Sequence, residues 1–196
     1  MVTEHCPACE ALPYDNEPKP DPLDPSRLIY PVFAGAEGRI ADYMLLNMME
    51  REWRRSKTEG AVTPSLAGGS ESAAIVIFYW TYFESRMERL IRFGLNRLPA
   101  AVAKDLAARY SGVGHYMREL YYILFGVKYR DDLMAVDAES IDGHLVQVQE
   151  ARNKFIHGDP EALNDALVNR VVSKMADEHQ AWVDVYNRRI RLSLPR

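Results

Sequence analysis

Ala73-Ala74-Ile75-Val76-Ile77-Phe78-Tyr79-Trp80-Thr81-Tyr82-Phe83 is the longest apolar run of the chain, broken only by Thr81. Glu84, Arg86, Glu88 and Arg89 follow at once. The run is too short to cross a bilayer. A segment apolar on every side belongs in the middle of a folded unit. Beyond it the apolar positions thin to one stripe, Val76, Tyr79, Phe83, Met87, Leu90 and Gly94, at the three- and four-residue spacing of a helix. The pattern predicts a central helix over about 71–98, with Ser70 as its N-cap and Pro99 as its stop.

Downstream the periods stay helical. Residues 100–109 read as a helix. Residues 115–125 read as another, with Met117, Leu120, Tyr121 and Leu124 at helical spacing. Residues 126–139 offer one short turn at most. A helix over 141–157 follows, stopped by Gly158. Asp159-Pro160-Glu161 then supplies a cap, a proline for the first helical position and an acid for the first turn, so a last helix is expected over 161–191. The β-branched residues fall inside these helical periods, and no strand is expected.

Upstream, Ile40, Tyr43, Met44, Asn47, Met48 and Glu52 trace one face of a helix over 37–56. Its end, Glu50-Arg51-Glu52-Trp53-Arg54-Arg55, is charged and solvated in this reading. Pro64, Gly68 and Gly69 mark a loop. Seven of the 11 prolines precede Val32, and Pro18-Lys19-Pro20-Asp21-Pro22 excludes helix there. The fold class is therefore all-α. The chain divides into an irregular Pro-rich arm (1–36), an N-terminal helix and loop (37–70) and a helical bundle (71–196).

Composition narrows the function classes. The 196 residues are 47% hydrophobic and 27% charged, within the globular range. Formal net charge is −4, whereas an indiscriminate nucleic-acid binder carries a basic excess. Any RNA contact must come from a local cluster. The first residues carry no basic stretch leading into an apolar one, so no secretory signal or membrane anchor is expected and the expected address is the cytoplasm.

The segment Gln149-Glu150-Ala151-Arg152-Asn153-Lys154-Phe155-Ile156-His157-Gly158 carries the chemistry. Ile141, Leu145, Val148, Arg152 and Phe155 share one helical stripe, so Arg152 interrupts an apolar face. A buried guanidinium needs a partner. Either a carboxylate meets it, with Glu84 a candidate, or the face opens onto a cleft or an interface. Asn153 and His157 lie on a common side. Arg152 and His157, five residues apart, point about 140° from each other around a regular helix. Joint action needs the long reach of Arg152, a frayed helix end, or two copies meeting.

An Arg, a polar residue and a His after four intervening positions, followed by a helix-ending Gly, resembles the signature of the HEPN family. The helix Phe78-Tyr79-Trp80-Thr81-Tyr82-Phe83-Glu84 looks like that family's earlier core helix, which often carries an acidic residue near this point. The resemblance covers about 71–191. Arg109 and His115 match a looser form of the pattern, but Ser111-Gly112-Val113-Gly114 breaks the helix between them.

The resemblance implies a HEPN-like helical bundle, a homodimer with a shared cleft, and metal-independent RNA cleavage by 2′-hydroxyl attack, with no cofactor. Arg152 would hold the phosphate, His157 would move the proton, Asn153 would assist and Glu84 would support. Proteins of this kind include toxins and defence effectors, and an antitoxin protein is then an expected partner. The alternative is a non-catalytic HEPN-like dimer serving as a protein-binding or scaffold module, with Arg152 in a salt bridge and His157 an ordinary helix-end residue.

Other features carry weaker readings. Cys6 and Cys9 form Cys-x-x-Cys, half of a structural zinc site. His5 and a further ligand, or a second chain, would have to complete it; otherwise it is an unmetallated part of the arm. Arg188-Arg189-Ile190-Arg191 suits either a phosphate backbone or a solvated helix end.

Overall fold

The computed structural model describes residues 19–21, 24–29, 36–58, 70, 72–110 and 112–192. The element order is β1 (Lys19–Asp21), β2 (Asp24–Ile29), α1 (Ala36–Thr58), α2 (Ala73–Leu95), α3 (Ala100–Arg109), α4 (Val113–His115), a π-helical turn (Tyr116–Leu120), α5 (Tyr121–Phe125), α6 (Tyr129–Met134), α7 (Glu139–Ile156), a 3₁₀ turn (Pro160–Ala162) and α8 (Asp165–Leu192). The architecture is an all-α bundle. His5, Cys6 and Cys9 lie outside the described residues. Among the described residues no helix is long and apolar enough to cross a membrane.

The sequence gives no sign of strand, yet β1 and β2 pair antiparallel, Lys19 opposite Ile29 and Pro20 opposite Leu28. A two-stranded ribbon consists only of edges, where a proline's missing N–H costs no ladder bond. Part of the arm is therefore regular.

Helix α2 is the centre of the bundle, as its apolar run demands. Ile75, Val76, Tyr79, Phe83, Met87 and Leu90 are wholly buried. Ser70 accepts the Ser72 N–H on its Oγ at 3.1 Å and the Ala73 N–H on its carbonyl, so it secures the turn into the helix. Gly94 lets α5 approach: a Cβ there would stand 2.9 Å from Leu124 Cδ1 and 3.1 Å from Leu124 Cβ.

The face of α1 differs from the expected one. Asp42, Leu46 and Met49 are buried, whereas Met44 and Met48 are 59% and 42% exposed. The reason is a polar anchor. Asp42 accepts from Ser85 Oγ at 3.1 Å and ion-pairs with Arg89, both on α2. Residues 42, 46 and 49 then share a stripe that a count of apolar residues does not find.

Two charged clusters pin the other helices. Arg86 and Glu178 form an ion pair between α2 and α8 with both side chains essentially inaccessible. His179 Nδ1 accepts from Arg86 Nη1 at 2.9 Å, with the Tyr82 hydroxyl also at 2.9 Å. Burial pushes the Tyr82 hydroxyl up to about 12. Asp132, on the short α6, takes a hydrogen bond from Tyr121 and both arms of the Arg189 guanidinium, with Arg188 3.6 Å away. Two of the basic residues near the C-terminus are thus turned inward as struts.

The last helix begins later than its proline suggests. Pro160 opens only the 3₁₀ turn, and Asn164 caps α8 by accepting the Leu167 N–H on its Oδ1 at 3.0 Å.

Candidate functional site

Helix α7 buries Ile141, Leu145 and Val148, and the burial fades to halfway at Arg152 and Phe155. Arg152 thus sits where the apolar stripe reaches the edge of the bundle. Its Nη1 donates to Asn153 Oδ1 at 3.3 Å. Among the described residues no carboxylate ion-pairs with it. Glu84, the candidate partner, instead accepts from Trp80 Nε1 one turn back on α2, at 2.8 Å. The arginine is left with a neutral neighbour and accessible surface.

The end of α7 is closed, not frayed. The Asp159 N–H reaches back to the Lys154 carbonyl at 3.1 Å and the Gly158 N–H to that of Phe155 at 3.0 Å. Gly158 has φ +98°, a left-handed conformation that glycine adopts without cost. These two bonds make a Schellman motif. His157 is its cap residue, with φ −86° and ψ 10°, and its ring is exposed. Among the described residues that ring makes no hydrogen bond.

The regular geometry therefore holds through residue 157. Arg152 and His157 keep their separation of about 140° around the axis. Of the three routes to joint action, the frayed end is removed. The reach of Arg152 and the meeting of two copies remain. Asn153 and His157 do share a side with Val146, 43% exposed, while Ile156, 54% exposed, lies one turn on from Arg152. The looser Arg109–His115 pair is split as the sequence implies: Tyr110 is extended and Gly112 has φ +86°.

Two further residues of α7, His144 and Gln149, had no assigned role in the sequence. His144 is buried against the Tyr79 ring, centroids 5.8 Å apart, and among the described residues neither ring nitrogen finds a partner. Burial, then the charges of Lys174 and Arg170, lower its imidazole from 6.5 to about 4. It is a neutral core residue. Gln149, one turn before Arg152, lies beside Gly114 and Arg118 of the α4–π segment. No local spacing announces that contact, because it joins residues distant in sequence. Comparison with protein-family models, with characterised proteins and with solved structures gave no match to this chain.

Proposed function

We propose that this chain is a HEPN-type, metal-independent endoribonuclease, and that toxin or defence-effector activity is its role. One observation carries the reading: a guanidinium with no carboxylate partner among the described residues stands five residues before an exposed imidazole, at a closed helix end. Structural arginines in this bundle are paired with carboxylates, as Arg86, Arg89 and Arg189 are. Arg152 is free to take an anion.

The chemistry follows from these groups. Arg152 holds the scissile phosphate and offsets the charge that builds on its oxygens. Neutral His157 takes the proton of the adjacent 2′-hydroxyl. The 2′-oxygen attacks phosphorus, the bond to the 5′-oxygen breaks, and a protonated imidazole returns a proton to that oxygen. Asn153, bonded to Arg152 and on the side of His157, orients the phosphate. The products are a 2′,3′-cyclic phosphate and a 5′-hydroxyl. In a two-fold dimer with α7 against its copy, one cleft holds two imidazoles, one for each proton transfer, and covers Val146 and Ile156.

The same exposed apolar residues favour a second reading, a non-catalytic helical dimer that binds another protein. Analysis of product ends separates the two. Purified protein should convert RNA to fragments ending in 2′,3′-cyclic phosphate and should leave 2′-deoxy-substituted RNA intact. Intact RNA in both arms would favour the binding module.

A further inference from the structure

A second guanidinium reaches α7 from another element. Gly114 lies beside the end of the Gln149 side chain from α7: a Cβ on it would stand 2.9 Å from Gln149 Nε2 and 3.3 Å from Arg118 Nη2. Both side-chain ends therefore converge on one spot. Arg118 sits in the middle of the π turn, and its Nε donates to the Gly114 carbonyl at 3.1 Å. This fixes the guanidinium while its Nη groups keep no protein acceptor among the described residues. Gln149 lies one turn ahead of Arg152 and Asn153, so Arg118 and Gln149 extend the candidate site along the helix.

Arg118 has no carboxylate partner among the described residues. Arg92, Arg109 and Arg130 are also exposed, and each takes a carboxylate: Glu88, Asp105 and Glu139, whereas Arg170 takes the amide oxygen of Gln147. Arg118 takes only a carbonyl. Two guanidiniums along α7, neither ion-paired among the described residues, leave positive charge that an anion can take. With a net charge of −4, the protein needs such local cations to hold a polyanion at all.

We propose that Arg118 and Gln149 form a second phosphate subsite for single-stranded RNA, beside the phosphate held by Arg152. The proposal rests on the RNA-cleaving reading of Arg152 and His157. The Nη fork and the Gln149 amide supply N–H donors for non-bridging phosphate oxygens. The subsite sets the register of the strand, and the chemistry stays with Arg152 and His157.

The test is anisotropy titration of the full chain with a fluorescent 2′-O-methyl oligonucleotide, which cannot be cut, across a range of salt. Each phosphate contact on a single strand contributes about 0.7 to the slope of log affinity against log salt. Arg118→Ala should lower that slope by about 0.7. Gln149→Glu, which gives Arg118 an internal carboxylate, should do the same. Gly114→Ala displaces two flexible side-chain ends and should weaken binding with the melting temperature retained. If Arg118→Ala leaves slope and affinity unchanged while Arg152→Ala reduces both, the second subsite is refuted and the first stands. If the wild type binds no oligonucleotide, both fall. If a glutamate-rich peptide of equal charge binds as tightly and with the same dependence on Arg118, the site serves an acidic protein and the proposal is overturned.

Discussion

Arg152 and His157 leave the same helix end in directions about 140° apart, and the Schellman closure at Gly158 keeps them there. A guanidinium at the bundle edge and an imidazole on the outer side do not face one another on the helix, so only the reach of Arg152 or a second copy would join them. This relationship makes assembly part of the functional question. In the proposed dimer, two-fold pairing of α7 would bring both residue types to one seam and cover Val146 and Ile156.

The chain should therefore be a dimer at micromolar concentration, and Ile156→Asp should shift it to monomer while the fold is kept. Light scattering with a circular dichroism control checks this. A wild type that stays monomeric throughout would remove the shared cleft.

The Arg86–Glu178 pair should be costly to break and cheap to replace. Glu178→Leu leaves a guanidinium buried without a carboxylate, a loss of about 3–5 kcal/mol. Replacing both partners by leucine should cost much less, because no charge is then stranded. Urea unfolding of the single and double variants measures the difference. Equal losses would mean that the pair itself stabilises the fold.

Gly94 should tolerate no methyl group. Its Cβ would meet the Cβ of Leu124 as well as the tip of that side chain, so α2 and α5 must separate. Gly94→Ala should cost about 1–3 kcal/mol, overriding the higher helix propensity of alanine. Unchanged unfolding midpoints would show that the crossing can relax.

Acid should weaken the fold through His144. Its folded-state value lies near 4, below the ordinary 6.5, so the unfolded chain takes the proton first. The stability it contributes is full above about 6.5 and is lost as pH falls towards 4, with a slope of at most about 1.4 kcal/mol per pH unit. Glu178 acts with the opposite sign, since burial raises its carboxyl against the pull of Arg86. His144→Phe should abolish the imidazole contribution, so comparing unfolding midpoints of variant and wild type across this window isolates it. Parallel curves would assign the acid sensitivity elsewhere.

What could be read from the sequence was set by how local its causes are. The central helix and the helix of the candidate site were legible because a stripe of large apolar residues and a glycine after the last turn act within a few positions. The seat of α1 was not, since its anchor is Asp42 bonded to Ser85 and Arg89 across the bundle. Neither was α6, a short helix held by the buried Asp132 and Arg189. In the candidate site, Arg152, Asn153 and His157 were singled out by spacing alone. The nearness of Arg118 to Gln149 arises only when the Gln149 side chain of α7 reaches Gly114 in the folded bundle.

Cleavage of RNA by the wild type beside His157→Ala and Arg152→Lys, in the presence of a chelator and with melting curves recorded, tests the central claim most directly. The proposed mechanism moves protons with protein groups alone, so the wild type should cut under chelation. His157→Ala should lose about 10²–10⁴-fold in rate, the usual contribution of a general acid–base group. Arg152→Lys should also fail, because a point ammonium does not reproduce a planar multi-donor fork at phosphate. Both variants should melt like the wild type, since His157 is exposed and Arg152 is half-buried with no ion pair among the described residues. Folded variants that cut RNA as fast as the wild type would contradict the account.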